Sequence, residues 1–296
     1  MGPRRTLLTG AALAAALAAT AAGGAAPARA ASLDAYRGAG AWVDIYSGGA
    51  LGQPEAVVRR LAAAGVRTLY LETANWRRPR SVQIVWPTAN RRFITAAHAR
   101  GMRVVAWYLP GLADLAADRE RSLAAIRFKT PNGQGFDGFA LDIESGLVAG
   151  ISARNAQLMT LSRQLRAAVG RGYALGAIIP DARSTAPSRS LWPGFPYRSL
   201  ASVYDVFLPM AYSTYRVSGA AGTYAYTRYN VARIRSGTGR PGVPVHVIGG
   251  LADGLDAGEA RAVVAGARSA HALGVSFYNY GVTGSEEYAA LRALAP

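Results

Sequence analysis

Cysteine is absent from the 296-residue sequence, so disulfide bonds, thiolate metal sites and a cysteine nucleophile are excluded. Histidine is scarce: His98, His246 and His271 are the only three, and no two of them have the spacing of a metal-binding pair. We therefore predict no metal and no cofactor. The sequence also lacks a Gly-x-Ser-x-Gly nucleophile elbow, a phosphate-binding P-loop and a dinucleotide fingerprint, which argues against serine hydrolases and nucleotide-dependent enzymes.

Acidic residues are few beside basic ones. The chain has 33 Lys and Arg against 17 Asp and Glu, which gives a formal charge of +16, and Lys129 is its only lysine. This balance favours anionic partners, of which a cell-wall polymer is one. No nucleic-acid-binding motif accompanies the basic charge, so we predict no nucleic-acid partner. The alternative interpretation is a surface generally covered by arginines, whose long side chains shield apolar area.

Residues 1–30 have the pattern of a cleaved export signal. Arg4 and Arg5 precede an apolar, alanine-rich run, and an Ala-Arg-Ala sequence that ends at Ala30 offers small residues where a signal peptidase cuts. The arginine pair resembles a twin-arginine signal. No later stretch reaches the roughly 18 charge-free apolar residues of a membrane span. We expect a secreted, extracellular or cell-wall-associated monomer that begins near Ala31 and has no transmembrane span.

Residues 31–296 show one repeating pattern and no linker. Short β-branched and aromatic runs alternate with alanine-rich amphipathic segments. The runs predict eight strands, at 41–46, 67–72, 103–109, 138–143, 173–179, 206–211, 245–248 and 275–278. The segments predict eight helices, at 54–64, 90–100, 112–128, 153–169, 197–203, 223–236, 258–272 and 285–294. Eight βα units over about 255 residues predict an α/β fold, a single (β/α)8 TIM barrel at 31–296.

Two predicted loops are long, 73–89 after strand 2 and 180–196 after strand 5, where such connections usually run about 2–6 residues. Both contain tryptophan: Trp76 and Trp86 in the first, Trp192 in the second. Because sugar rings stack on indoles, all three are candidate sugar subsites, and the alternative is that the tryptophans fix their own loops. Three arginines follow Trp76 in the first loop: Arg77, Arg78 and Arg80. They could attract an acidic glycan, although a solvated loop is the simpler interpretation.

The sequence Asp-Gly-Phe-Ala-Leu-Asp-Ile-Glu at 137–144 covers predicted strand 4. Strand residues alternate sides, so Ala140, Asp142 and Glu144 face the barrel interior and the apolar residues between them face the helices. Asp142 and Glu144 then emerge together at the C-terminal mouth, where barrels carry their chemistry. Two carboxyls in a partly dry site raise one pKa, which suits a general acid. The alternative is a solvated pair, or one neutralised by an arginine.

This octapeptide resembles the active-site strand of family-18 glycoside hydrolases, the chitinase-like enzymes. Their pattern is Asp-Gly-apolar-Asp-apolar-Asp-x-Glu on strand 4, and Ala140 stands here in place of the innermost Asp. On strand 6, Met210-Ala211-Tyr212 resembles the family's Met-x-Tyr-Asp, with Ser213 in place of the final Asp. The two motifs are one βαβα step apart in both. The resemblance covers the barrel order and these two strands.

The resemblance implies a mechanism. Glu144 would be the general acid that protonates the leaving oxygen, and Asp142 would orient a substrate 2-acetamido group whose carbonyl attacks the anomeric carbon. Tyr212 would hydrogen-bond that group. In the family the two missing carboxylates share protons with the middle Asp and position the acetamido group, so Ala140 and Ser213 leave weak activity, a different sugar or no activity as alternatives.

Further candidate substrate-binding residues lie at predicted strand ends. Asp44 and Glu72 end strands 1 and 2, and either could be the second carboxylate of a direct-displacement glycosidase, which lies about 5 Å or farther from the acid. Each could instead bond loop backbone or an arginine. The other candidates for lining a sugar cleft are Trp107, Tyr108, Asp181, Met210, Asn279 and Tyr280. Aromatic residues at strand ends are also ordinary barrel filling.

Together these features predict a secreted glycosidase that cleaves a polysaccharide, such as a chitin-like polymer, peptidoglycan or another cell-wall glycan, with Glu144 as acid. The alternative is a catalytically impaired carbohydrate-binding barrel, which Ala140 and Ser213 favour. A third interpretation is a cell-surface interaction protein that binds anionic polymers through its basic face.

Overall fold

The computed structural model describes residues 1–2, 31–187 and 191–294. The predicted export signal therefore lies outside the described residues, apart from Met1 and Gly2. Eight parallel strands close into a barrel in chain order, which confirms the predicted (β/α)8 fold. The strands are β1 Gly38–Val43, β2 Thr68–Asn75, β3 Arg103–Leu109, β4 Gly138–Asp142, β5 Leu175–Ile179, β6 Val206–Ala211, β7 His246–Leu251 and β8 Gly274–Tyr278.

Helices surround the barrel. They are α1 Gly48–Gly52, α2 Pro54–Ala63, α3 Pro87–His98, α4 Leu115–Arg127, α5 Ile151–Val169, α6 Tyr197–Leu200, α7 Gly219–Thr238, α8 Ala257–Ser269 and α9 Ser285–Arg292. All but the short α1 correspond to a predicted helix. Within 31–187 and 191–294, no helix is both long and apolar enough to cross a membrane.

Strand β1 runs from Gly38 to Val43, three residues earlier than the predicted 41–46. The predicted range leaves out Gly38 and Gly40, but Gly40 has a packing role in the barrel. A Cβ added there would lie 2.7 Å from the ring of Tyr70 and 3.1 Å from Cβ of Ser276. A strand glycine of this kind marks a close approach by neighbouring side chains.

Alternate residues of the strands fall into two apolar clusters. The larger lies between the sheet and the helices, and the smaller fills the barrel interior. Inside, the indole of Trp42 stacks on Tyr70 with 4.1 Å between ring centroids. Its Nε1 donates to Ser276 Oγ at 2.8 Å, and the same oxygen lies 2.9 Å from His246 Nε2. This aromatic and polar layer fills the barrel interior below the strand ends.

Strand β2 has a register shift against β3 between Glu72 and Ala74. Simple alternation would put Glu72 and Asn75, three residues apart, on opposite faces of the strand. A β-bulge re-aims side chains, and here both point to the barrel mouth, where Asn75 Nδ2 donates to Glu72 Oε1 at 3.1 Å. The bulge thus brings two polar side chains from one strand into the same site.

Candidate active site

A cavity of about 330 Å³ opens at the C-terminal ends of the strands. Its lining comprises Tyr46, Glu72, Asn75, Arg77, Trp107, Leu109, Asp142, Glu144, Met210, Tyr212, Leu251 and Tyr278. The volume lies within the range of small-ligand sites, roughly 300–1,000 Å³. Six of the residues predicted from the sequence lie together in this lining: Glu72, Trp107, Asp142, Glu144, Met210 and Tyr212.

Asp142 and Glu144 reach the cavity because β4 keeps the two-residue period to its end. The intervening Leu141 and Ile143 belong to the outer apolar cluster, and Ile143 N–H donates to the Ile178 carbonyl on β5 at 2.8 Å. Asp142 is only 7% exposed, and its Oδ1 is buried with no hydrogen-bond partner among the described residues. Glu144 is exposed. The pair therefore offers one deep carboxyl and one near the opening.

Burial raises the pKa of Asp142 well above its ordinary value, and the charges of Glu144 and Glu72 raise it further. Loss of hydration also raises the pKa of Glu144, although its side chain is solvent-accessible, and the Arg77 guanidinium opposes that rise. Because like charges in a partly dry site resist ionising together, at least one of these carboxyls keeps its proton at a higher pH than a free side chain would.

Glu72 is a third carboxyl in the cavity. Its Oε2 accepts from Ile45 N–H and its Oε1 from Asn75 Nδ2, both at 3.1 Å. Burial raises the pKa of Glu72 to about 7, despite these hydrogen bonds. Its orientation is fixed by Ile45 in the loop after β1 and by Asn75 on its own strand, so it presents a titrating carboxyl group to the cavity near neutral pH.

Tyr212 and Trp107 add hydrogen-bond donors to the lining. Burial first, and then the charge of Asp142, raises the pKa of Tyr212 well above its ordinary value, so its hydroxyl stays protonated. Trp107 is 5% exposed, and its buried Nε1 has no partner among the described residues. Its ring lies edge-on to Trp42 at 5.9 Å. The unpaired donor of Trp107 and the unpaired acceptor of Asp142 suit a polar ligand, because a buried polar atom without a hydrogen bond costs free energy.

Tyr108 was predicted to line the cleft, and the structure places it on the opposite side of the barrel wall. It belongs to the outer cluster, and its hydroxyl donates to Asp118 Oδ1 on α4 at 2.6 Å. The reason is the two-residue period of β3, in which only one of two adjacent aromatics can point inward. Trp107 occupies the inward position.

Asp181 and Trp192, both in the loop after β5, are also outside the cavity lining. Asp181 accepts hydrogen bonds from Tyr226 and Ser184 at 2.8 and 2.5 Å and is paired with Arg216. Trp192 is fully buried, and its Nε1 donates to Asn155 Oδ1 at 2.8 Å. The prediction that they bind sugar is corrected, because both fix the loop onto the surrounding helices.

Trp76 and Tyr280 were also predicted to bind sugar, and both are half-buried next to the site. Trp76 is half-buried over Gly111, where an added Cβ would lie 3.0 Å from the tryptophan Cβ. The Tyr280 ring packs against the outer cluster, and its hydroxyl accepts from Arg60 at 3.4 Å. Neither side chain belongs to the lining of the cavity.

Asp44 and Asn279 lie one contact away from the cavity. Asp44 accepts from the Tyr46 backbone N–H at 2.9 Å, from Tyr278 OH at 3.1 Å and from Asn279 Nδ2 at 2.7 Å. Tyr46 and Tyr278 both line the cavity. Asp44 is therefore a residue that positions the lining, and its oxygens are engaged in doing so.

Five lining residues were not predicted, Tyr46, Asn75, Leu109, Leu251 and Tyr278, and a sixth, Arg77, was noted only as part of a basic loop cluster that could attract an acidic glycan. Asn75 enters through the β2 bulge. Leu251 enters through a second register shift, in β7 against β8 between Gly249 and Leu251. The adjacent glycines Gly249-Gly250 are a sequence signal of such an irregularity. Across 31–187 and 191–294, no group of three or more Asp, Glu or His side chains is arranged to hold a metal ion.

No protein-family model matches the chain, and no curated protein matches it by sequence. Solved structures do match its fold. The endo-β-1,4-mannanase from Thermotoga petrophila aligns with a TM-score of 0.66 at 10% identity, over 88% of this chain and 76% of that one. The family-18 chitinase from Cycas revoluta in complex with allosamidin gives 0.61 at 12% identity, over 87% and 98%. The spore cortex-lytic enzyme of Bacillus cereus gives 0.63 at 10% identity, over 87% and 74%.

At these identities the likeness is one of fold. The chain has the TIM barrel that chitinases, a mannanase and a cortex-lytic enzyme share, and the resemblance to family 18 is confirmed at that level. What the cavity does depends on its own residues, since one barrel supports many chemistries.

Proposed function

We propose that this chain is a secreted glycosidase that cleaves a polysaccharide in the cavity at the barrel mouth, with Glu144 as general acid. The observation that carries the proposal is the carboxyl pair at the end of β4, Asp142 and Glu144, which lines a sugar-sized cavity and has raised pKa values. The glycoside hydrolases that share the fold add support. Export is proposed from the sequence of residues 1–30 alone, and the basic charge favours a cell-wall glycan as the polymer.

In the proposed reaction Glu144 gives its proton to the glycosidic oxygen as the bond from that oxygen to the anomeric carbon breaks. The leaving sugar departs as an alcohol, and Glu144 is left as a carboxylate. A water then supplies the new C–O bond at the anomeric carbon and returns a proton to Glu144. An acid needs a pKa near the working pH, and loss of hydration shifts the pKa of Glu144 upward, in the direction that this role requires.

Two routes can stabilise the anomeric carbon between these steps. In the route implied by the family-18 resemblance, a substrate acetamido oxygen attacks it while Asp142 and Tyr212 hold the acetamido group. The unpartnered Asp142 Oδ1 and the protonated Tyr212 hydroxyl suit that role. In the direct route Glu72 attacks. Glu72 lines the cavity and Asp44 does not, so Glu72 is the second carboxylate of that route.

A hydrolysis screen on chitooligosaccharides, peptidoglycan and acidic glycans tests the proposal. We expect product release by the wild type, and a kcat lower by on the order of 10²–10⁴-fold in Glu144→Gln with little change in KM. Glu120→Gln is the matched control, because Glu120 is an exposed carboxylate that pairs with Arg80 on the outside of the barrel. Equal turnover by the wild type and Glu144→Gln would remove Glu144 from the mechanism.

A second candidate function is glycan binding without catalysis. Ala140, which stands where family 18 has an Asp, is fully buried in the barrel interior. A Cβ added at Gly176 on β5 would already lie 3.2 Å from the Ala140 Cβ, so the interior is closed around a small side chain. Retained glycan affinity with no product from any polymer in the screen would favour this function.

A further inference from the structure

Arg77 is the one basic side chain in the lining of the cavity, which belongs wholly to the described part of the chain. It follows strand β2 and is exposed. The guanidinium lies over the Trp76 ring, with 5.3 Å from Cζ to the ring centroid. Its positive charge acts on Glu144 and opposes the rise in the pKa of that carboxyl group. A cation thus stands beside the proposed acid.

The Arg77 guanidinium is free for a ligand. Among residues 31–187 and 191–294, no carboxylate oxygen lies within the 4.0 Å of an ion pair, and no hydrogen bond engages its side-chain nitrogens. The two other arginines of the same loop have partners within the protein. Arg80 pairs with Asp114 and Glu120 on the barrel exterior, and Arg78 lies over the Tyr46 ring at 5.5 Å.

The backbone that carries Arg77 is held in place from both sides. The Arg77 N–H donates to Asn75 Oδ1 at 3.2 Å, and Trp76 N–H donates to the Leu109 carbonyl at 2.9 Å. After it, the Arg121 guanidinium donates to the carbonyls of Arg78 and Pro79 at 2.6 and 2.9 Å. A charged group on so fixed a segment is pre-organised, which reduces the entropy lost when a ligand binds.

We propose that Arg77 determines specificity by binding a sugar carboxylate in the cavity, so that the glycan taken by this site is an acidic one. A guanidinium offers two parallel N–H donors that match a carboxylate in geometry and charge. This inference rests on the proposal that the cavity binds a glycan, and it is independent of Glu144 acting as an acid.

The other charges in the cavity are compatible with an anionic sugar. Glu72, Asp142 and Glu144 would repel it if all were ionised, but burial raises the pKa of Glu72 and of Asp142, and loss of hydration raises that of the more exposed Glu144 against the opposing charge of Arg77. Their combined negative charge near pH 6 is therefore smaller than three free carboxylates would carry. The chain's formal charge of +16 attracts acidic polymers over longer distances.

Calorimetric binding at pH 6 to the full-length Glu144→Gln protein, in which turnover is suppressed, tests this inference with two matched pairs of tetrasaccharides. The first pair is (GlcNAc)4 and the alternating GlcNAc–MurNAc tetrasaccharide, which differ in the lactyl groups of two sugars, each of which carries a carboxylate. The second is tetragalacturonate and its neutral methyl ester. We expect the acidic member of at least one pair to bind on the order of tenfold more tightly, and that pair identifies the source of the carboxylate.

Adding Arg77→Gln should bring the acid-to-neutral affinity ratio to about one, and Arg77→Lys should keep part of it, because lysine retains charge without the guanidinium fork. Arg80→Gln should leave the ratio unchanged. Equal affinities in both pairs, or a preference that survives Arg77→Gln, would overturn the inference while leaving the proposed function standing. Binding of no member of either pair would overturn both.

Discussion

Trp107 and Tyr108 are adjacent in β3 and differ in what they touch. Trp107 faces the cavity with an unpartnered indole N–H, whereas Tyr108 is fully buried outside the barrel wall and donates to Asp118. The sequence predicted both as cleft residues. The alternation that correctly separates Asp142 from Leu141 and Ile143 on β4 would also have separated this pair, so the information was present in the sequence.

We expect substitutions at these two positions to differ in their effect on binding. Trp107→Phe removes a donor that has no partner among the described residues, so glycan affinity should fall about two- to tenfold, and the smaller ring should also lower the unfolding free energy by about 1–2 kcal/mol. Tyr108→Phe takes a hydrogen bond from the buried Asp118 carboxylate and should lower the unfolding free energy by about 1–3 kcal/mol with affinity retained. Calorimetry on the better-bound tetrasaccharide and urea unfolding measure both. A Tyr108→Phe protein that folds stably but binds weakly would contradict the assignment.

Two strands, β2 and β7, reach the cavity through register shifts near their C-terminal ends. In β7 the shift includes Gly250, whose φ of +44° lies in the left-handed region, and it brings Leu251 into the lining. Bulges of this kind recur beside active sites because they re-aim a side chain. A two-residue period cannot predict them, which is why Asn75 and Leu251 were missed.

Gly250→Ala should destabilise the protein more than Gly133→Ala does. Both glycines have positive φ, and a Cβ at Gly133 would meet nothing within 4 Å, whereas one at Gly250 would overlap the Leu255 side chain. We expect a loss of about 1–2 kcal/mol at Gly133 from backbone strain alone and about 2–4 kcal/mol at Gly250 from strain plus overpacking. Urea unfolding of the two variants measures the difference. Equal losses would show that the β7 bulge relaxes without cost.

At the scale of the whole molecule, the order of strands and helices was predictable and the composition of the cavity was only partly so. Eight β-branched runs spaced by amphipathic helices suffice to predict a barrel, and the barrel then places the end of β4 at the mouth. Where the side chains of loop residues lie depends on contacts with residues that are distant in the sequence. Trp192 is buried against α5 and Arg77 faces the cavity, although each simply follows a strand in the chain.

The barrel also concentrates buried acids at one end, and this makes its stability depend on pH. Burial raises the pKa of Glu72 in the folded protein to about 7, from an ordinary value of 4.5. Between those values the folded state holds a proton that the unfolded state has released, so the unfolding free energy falls as pH rises from about 4.5 to about 7. The shift in pKa corresponds to a decrease of about 3 kcal/mol in the unfolding free energy, which is complete once the pH is well above 7.

Glu72→Gln should therefore be stabilised relative to the wild type at pH 8 and not at pH 4.5, since glutamine resembles the protonated side chain. Urea unfolding of both proteins at several pH values measures the difference, in which contributions from groups that do not interact with Glu72 cancel, whereas that of Asp142 changes with the charge of Glu72. Glu55→Gln provides a control of opposite sign, because Arg92 lowers the pKa of exposed Glu55. The stabilisation that ionised Glu55 gives the folded state is therefore lost as the pH falls below about 4.5. A difference between wild type and Glu72→Gln that stays constant from pH 4.5 to pH 8 would mean that Glu72 titrates as a solvated carboxyl, which its burial in the cavity argues against.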